Sequence, residues 1–278
     1  MLIFRKIRIH GIRGSLRIGK SLLNRWYLRL QSDKTFIEIS AIRREILGER
    51  LFQASGGRVL YGAFKGMKLV STSWSARDVG SIILGEYERQ VVDVIMGSPK
   101  SHSIFIDIGA ADGIYAVGLS LNNRFLSSYC FESSEDSQIS IRANAIANNV
   151  ESRITILGTA RVNFLSKLTE KYGLDLTKAL FLIDIEGGEF DLLTDQNLKK
   201  MCKSVVIVEI HKNVDDFDSK YKTLLANSAE FFNLKELSAG SKSNIDIKEI
   251  KSWPDEDRQI VFSEGRRYEM WWLVMTPK

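Results

Sequence analysis

Asp184, Glu186, Glu209 and His211 each close an otherwise apolar run. The first run is Phe181-Leu182-Ile183, followed by Asp184-Ile185-Glu186-Gly187-Gly188-Glu189. The second is Val205-Val206-Ile207-Val208-Glu209-Ile210-His211. On a strand, alternate residues share a side, so Asp184 pairs with Glu186 and Glu209 with His211. Carboxylates at the end of a buried strand are costly unless they meet a cation, a donor or water. Such groups bind a substrate, activate a hydroxyl or hold a divalent metal. The histidine, with an ordinary pKa of about 6.5, can take a proton at neutral pH. Glu189 falls in the first turn of the following helix, where an acid complements the dipole. Two carboxylates without an evident third ligand assign no metal here.

A second group of residues lies earlier. Ser103 to Gly118 read as an apolar strand, Ile104 to Ile108, carrying Asp107; then a turn, Gly109 to Gly113; then Ile114, Val117 and Leu121 at helical spacing. Strand, glycine turn and helix open a nucleotide-type βαβ unit. The pattern is Asp107-x-Gly109-x-x-x-Gly113 and not G-x-G-x-x-G. An acid ahead of the first glycine repels a pyrophosphate and attracts a cationic amino acid moiety, such as that of S-adenosylmethionine. Glu132 follows Asp107 by 25 residues and ends the next strand. It is placed to accept from the two ribose hydroxyls of a nucleoside.

These residues need a parallel sheet to position them. From residue 103 strand and helix signals alternate. Strands are expected near 104–108, 127–131, 153–157, 179–185 and 204–210, and two more near 233–237 and 269–275. Helices are expected near 113–122, 134–149, 162–172, 188–201 and 217–230. Alternation with continuous apolar strands predicts a doubly wound, mostly parallel sheet. Helix 134–149 carries a Ser133–Asp136 capping pair, an apolar face of Ile139, Ala143, Ile146 and Val150, and Asn149 to end it. Upstream, residues 58–71 read as a hairpin and residues 76–96 as one helix.

Eight basic residues and no acid lie within residues 1–30. That is +8 against a chain total of +5, leaving −3 for the remainder. We read residues 1–57 as a basic, partly helical extension and residues 58–278 as the catalytic domain, with a cofactor core at 100–240. The extension reads as a helix docked on the body, or as an element for an anionic membrane surface or a nucleic acid. Cys130 and Cys202 show no metal spacing and read as free thiols. No apolar stretch reaches the ~20 residues of a membrane span. Without a signal-peptide core, the expectation is a cytoplasmic protein, and the membrane-surface reading of the basic segment would make it peripheral to a membrane.

Three motifs together resemble the FkbM-type methyltransferases, which use S-adenosylmethionine in a class I, Rossmann-like fold. Ile106 to Tyr115 is similar to that family's cofactor motif. FLIDIEGGE, Phe181 to Glu189, resembles its hallmark, and Val208-Glu209-Ile210-His211 its fifth-strand ending. Tyr61 to Met67 and Gly85-Glu86-Tyr87-Glu88 resemble its lead-in, and the likeness spans about residues 58–240. Ala111 departs from it, standing where the family often has asparagine. The resemblance implies O-methylation of a sugar, glycan or natural-product hydroxyl. It implies a cofactor site at Asp107, Gly109, Ala110, Gly113 and Glu132, with Thr159 and Ala160 flanking the adenine by position. Asp184, Glu186 and His211 would face the acceptor. Rival readings are a nucleic-acid methyltransferase using the basic arm, a non-catalytic S-adenosylmethionine-binding module, and a nicotinamide oxidoreductase. The absence of an Asp-Pro-Pro-Tyr-like motif argues against the first. The intact acids disfavour the second, and the missing middle glycine disfavours the third.

Overall fold

A computed structural model describes residues 33–72, 77–238, 247–266 and 270–278. The basic segment before residue 33, with its expected membrane or nucleic-acid role, lies outside the described residues. Two compact units are distinguished, residues 1–43 and residues 44–278. Helix α1, Asp33–Ser55, exposes Phe36, Ile39 and Ile42 and buries Leu47 and Leu51. The body thus begins inside the segment read as an extension. Among the described residues no helix is long and apolar enough to cross a membrane.

The strands are β1 (Ile104–Ile108), β2 (Ser127–Phe131), β3 (Ile154–Leu157), β4 (Ala179–Ile183), β5 (Val205–His211), β6 (Phe232–Ser238) and β7 (Met270–Pro277). They form one sheet in the order β3-β2-β1-β4-β5-β7-β6, with β1 to β5 parallel and β7 antiparallel to both neighbours. The expected Rossmann-like doubly wound sheet is present, and each strand starts within two residues of its predicted position. Alternate strand residues feed two cores. Phe105, Leu180, Leu182, Val205 and Ile207 pack on one face, and Ile106, Ile108, Phe181, Ile183, Val206 and Val208 on the other. Burial on both faces is why these strands read as unbroken apolar runs.

Helices connect the strands: α4 (Ile114–Leu121) after β1, α5 (Glu135–Ala147) after β2, α6 (Phe164–Ser166) after β3, α7 (Glu189–Leu192) and α8 (Asp195–Lys200) after β4, and α9 (Phe217–Phe231) after β5. Several expected helices are divided. The span 76–96 breaks into α2 (Val79–Ile83) and α3 (Arg89–Gly97), because Gly85 and Glu88 adopt left-handed backbone between them. A side chain on Gly85 would collide with the Tyr61 carbonyl, so the break is built into the packing. Span 162–172 continues from α6 as a π-type turn, Lys167–Lys171. In span 188–201, Thr194 caps a fresh start by accepting from the Asn197 N–H. Within the expected excursion between β6 and β7 lies a further helix, α10 (Asp255–Phe262).

Two corrections concern α5. Ser134, and not Ser133, is its N-cap, accepting from the Ser137 N–H. Its buried face is also not the apolar stripe. Ile139 and Ile146 are exposed, while Ser140, Ile141, Asn144, Ala145 and Asn148 are buried. Asn149 is left-handed and ends the helix as expected. The buried asparagines serve backbone groups of the expected hairpin. Asn148 accepts from the Lys68 N–H at 2.8 Å and donates to its carbonyl at 2.7 Å. Asn144 accepts from the Val70 and Ser71 N–H groups and donates to the carbonyls of Ser71 and Asp112. Antiparallel pairing in this segment is reduced to one bridge, Arg58 with Lys68. Asparagine side chains replace the missing strand partner. Asn144→Ala should therefore cost roughly 2–4 kcal/mol, since it removes hydrogen bonds to four backbone groups at once. Urea unfolding would measure this, and a loss below about 0.5 kcal/mol would refute the clamp.

Candidate active site

The strand order reverses direction between β1 and β4, and ligands of open α/β sheets bind at the carboxyl ends flanking such a switch. The chain leaves β1 at Gly109 and β4 at Asp184. The Asp184 N–H donates to the Ile108 carbonyl at 2.8 Å. A Cβ on Gly109 would lie 1.7 Å from the Asp184 carbonyl oxygen. Gly109 also has φ +89°. Its glycine is therefore dictated by the neighbouring strand's backbone, and not by a ligand alone. Gly113 (φ +75°) likewise answers to packing, since a Cβ there would press on Ile141.

A cavity of about 600 Å³ opens at this point. Its wall includes Asp107, Gly109, Ala110, Glu132, Thr159, Ala160, Asp184 and Glu186. Those eight residues, expected from separate stretches, share one cleft. Gly113 and His211 are not on its wall. Sequence reasoning missed Glu88, Tyr115 and Trp272, which also line it.

Asp107 is buried, and its Oδ2 has no hydrogen-bond partner. Burial, with the nearby charges of Asp184 and Glu132, raises its pKa from 3.8 to about 8. Glu132 braces the glycine turn. One carboxylate oxygen accepts from the Ala111 N–H at 2.8 Å and the other from the Ser134 N–H at 2.7 Å. Ala111 is left-handed, φ +46°, a conformation that asparagine tolerates better than alanine.

Opposite the turn stands a group of acids around His211. Strand β4 ends at Ile183, so Asp184 and Glu186 are brought together by the turn and not by strand alternation; Glu186 has φ +53° and Gly187 φ +102°. His211 Nε2 lies 3.4 Å from a Glu209 oxygen and 3.6 Å from oxygens of both Asp184 and Glu186. Glu189, read as a helix-dipole acid, is fully buried. Its carboxylate accepts from the Gly187 N–H and the His211 N–H, at 2.8 and 3.0 Å, and faces His211 Nδ1 at 3.2 Å. A carboxylate on Nδ1 favours a proton there, so Nε2 faces the acids as a lone pair when the ring is neutral and as a donor when it is protonated. Burial works against a charged imidazole. The Glu189 hydrogen bond and the charge of Asp184 outweigh it and raise the His211 pKa. Burial also lifts Asp184 to about 6, against the pull of His211.

Arg266 neutralises the far side. It bonds Glu88 at 2.7 Å and Glu264 at 3.1 Å, and it also bonds Glu209. Tyr115 donates to the other Glu88 oxygen at 2.6 Å. Burial still raises Glu88 to about 8. Arg266 lies far from any recognised motif, so only the fold reveals it.

The sequence matches no family model, and no curated protein matches it. Among solved structures, an O-methyltransferase from Bacillus cereus is 12% identical over 83% of this chain and 90% of that one, with a TM-score of 0.44. A precorrin-6y C5,15-methyltransferase from Geobacter metallireducens is 11% identical over 75% and 94%, also at 0.44. A protein of the NADB-Rossmann superfamily from Streptococcus agalactiae is 17% identical over 68% of each chain, at 0.44. Similarity this low carries no weight for activity, which rests on the residues of the cleft.

The raised pKa of Asp107 has a measurable consequence. Its carboxyl binds a proton more tightly in the folded state than in the unfolded chain. That contribution to stability is complete below about pH 4 and is lost as the pH rises toward about 8. Asp107→Asn, neutral at every pH, should raise the melting temperature of the ligand-free protein at pH 8.5 and change it little at pH 4. An equal change at both values would contradict the burial of an ionisable Asp107.

Proposed function

We propose that this chain is a methyltransferase that uses S-adenosylmethionine and acts on a hydroxyl of a sugar, glycan or natural-product acceptor. The observation that carries the reading is the buried Asp107, with an unpartnered carboxylate oxygen, on the wall of a cleft at the sheet's switch point. A buried acid facing a cavity calls for a cationic ligand group. The cofactor brings a cationic ammonium group, a ribose and a methyl group on positively charged sulfur. The residues fit it. Asp107 would hold the ammonium group. Glu132, fixed by two N–H groups and still able to accept, would take the ribose hydroxyls. Thr159 and Ala160 would flank the adenine.

Asp184 and Glu186 lie across the cleft, with His211 behind them. An oxygen acceptor placed there meets groups able to receive its proton, at the Asp184 carboxylate or His211 Nε2. Positioning and proton removal are the protein's two tasks in displacement at a methyl carbon. The resemblance of FLIDIEGGE and VEIH to FkbM-type methyltransferases supports the same division. A nicotinamide reading has less support, because Asp107 and Glu132 would flank a pyrophosphate.

Calorimetry with S-adenosylmethionine tests the reading. The wild type should bind it, and binding at pH 7 should release protons, because a cation beside Asp107 lowers that group's pKa. Glu132→Ala should weaken binding by about tenfold or more, one to two charge-assisted hydrogen bonds. His211→Ala should keep affinity within about threefold and lower turnover about a hundredfold or more. Absence of binding at millimolar cofactor would reject the proposal. Equal loss of affinity in both variants would reject the division of roles.

A further inference from the structure

The acids around His211 do more than surround a base. One donor atom from each of Asp184, Glu186 and His211 lies within 4.8 Å of the others. Donors at about 2.1 Å from a six-coordinate ion are separated by about 3.0 Å in adjacent positions and about 4.2 Å in opposite ones. The two distances from Nε2, both 3.6 Å, fall inside that span. Closing the widest separation needs a side-chain movement of well under an ångström, and Glu186, two-thirds exposed, is free to make it.

A separate observation points to a ligand. His211 has a side chain only 7% exposed, and carboxylates of Asp184, Glu186 and Glu209 surround its Nε2 at 3.4–3.6 Å. The Asp184 Oδ1 that faces it is buried and without a hydrogen-bond partner, an acceptor aimed at the space between these groups. Nδ1, by contrast, is held by Glu189, which is itself fixed by two backbone N–H groups. A carboxylate on the far nitrogen of a histidine, orienting its lone pair toward acids, is the outer support of metal-binding histidines. Two acids leave neutral balance for a doubly charged ion. Glu209 stays engaged with Arg266 behind them.

We infer that Asp184, Glu186 and His211 form a binding site for a divalent first-row transition ion, with its open positions toward the cleft. One imidazole among two carboxylates favours Mn²⁺, Fe²⁺, Co²⁺ or Zn²⁺ over Mg²⁺ or Ca²⁺. The inference deepens the proposed function. It rests on that reading only for what fills the open positions, an acceptor hydroxyl whose proton the ion would make easier to lose. Ion binding itself is independent of the methyl donor.

The test is titration of the full chain, stripped with chelator, with MnCl2, followed by electron paramagnetic resonance and calorimetry. Saturable binding of one ion per chain is expected. Glu186→Gln, an exposed change that leaves folding intact, should weaken it about tenfold or more. Glu189→Gln should weaken it by about 10–100-fold through loss of imidazole orientation. A parallel titration with S-adenosylmethionine separates the two ideas. Cofactor binding without saturable Mn²⁺ binding overturns the ion site and leaves the methyltransferase reading. Mn²⁺ binding that disappears in Glu186→Gln supports the site even if the cofactor fails to bind. Mn²⁺ affinity unchanged in both variants overturns it.

Discussion

The structure depends on one close approach, between Gly109 and the carbonyl of Asp184. β1 and β4 are neighbours, and the chain must leave both at the same end of the sheet. No side chain fits between them, since a Cβ at 109 would overlap the Asp184 carbonyl at 1.7 Å. That contact fixes where the cleft opens. It brings Asp107, two residues before the glycine, within electrostatic reach of Asp184. Everything on the cleft wall is placed relative to this seam.

The seam concentrates negative charge, and the fold manages it differently on each side. On the β1 side Asp107 Oδ2 lacks a hydrogen-bond partner, whereas Glu132 is satisfied by two backbone N–H groups. On the side of β4 and β5 Glu189 is satisfied by backbone and imidazole, and Arg266 holds Glu88 and Glu209 together. Two buried carboxylate oxygens at the seam stay without a hydrogen-bond partner, Asp107 Oδ2 and Asp184 Oδ1. Unpaired buried polar groups are costly, so their location at one cleft marks where ligands supply the missing partners.

Much of this was legible in the sequence. Strands buried on both faces announce themselves as apolar runs, and acids at their carboxyl ends stand out against them. So Asp107, Glu132, Asp184, Glu186 and His211 were found from type and position. The reasons for the glycines were less legible: Gly109 and Gly113 read as ligand contacts, yet answer to Asp184 and Ile141. Helix α5 was misread because periodicity counts apolar residues. Its buried face carries two asparagines beside Ile141 and Ala145, and those asparagines hold backbone groups more than 70 residues away. Glu189 looked like a dipole acid, since a helix start explains any acid near it. Arg266 had no local signal at all.

The most direct test of the account is the structure of the chain with S-adenosylhomocysteine bound. The ammonium group should lie on Asp107, the ribose on Glu132 and the sulfur toward Asp184 and Glu186. A ligand elsewhere, or one whose ribose and amino groups avoid both acids, would contradict the account.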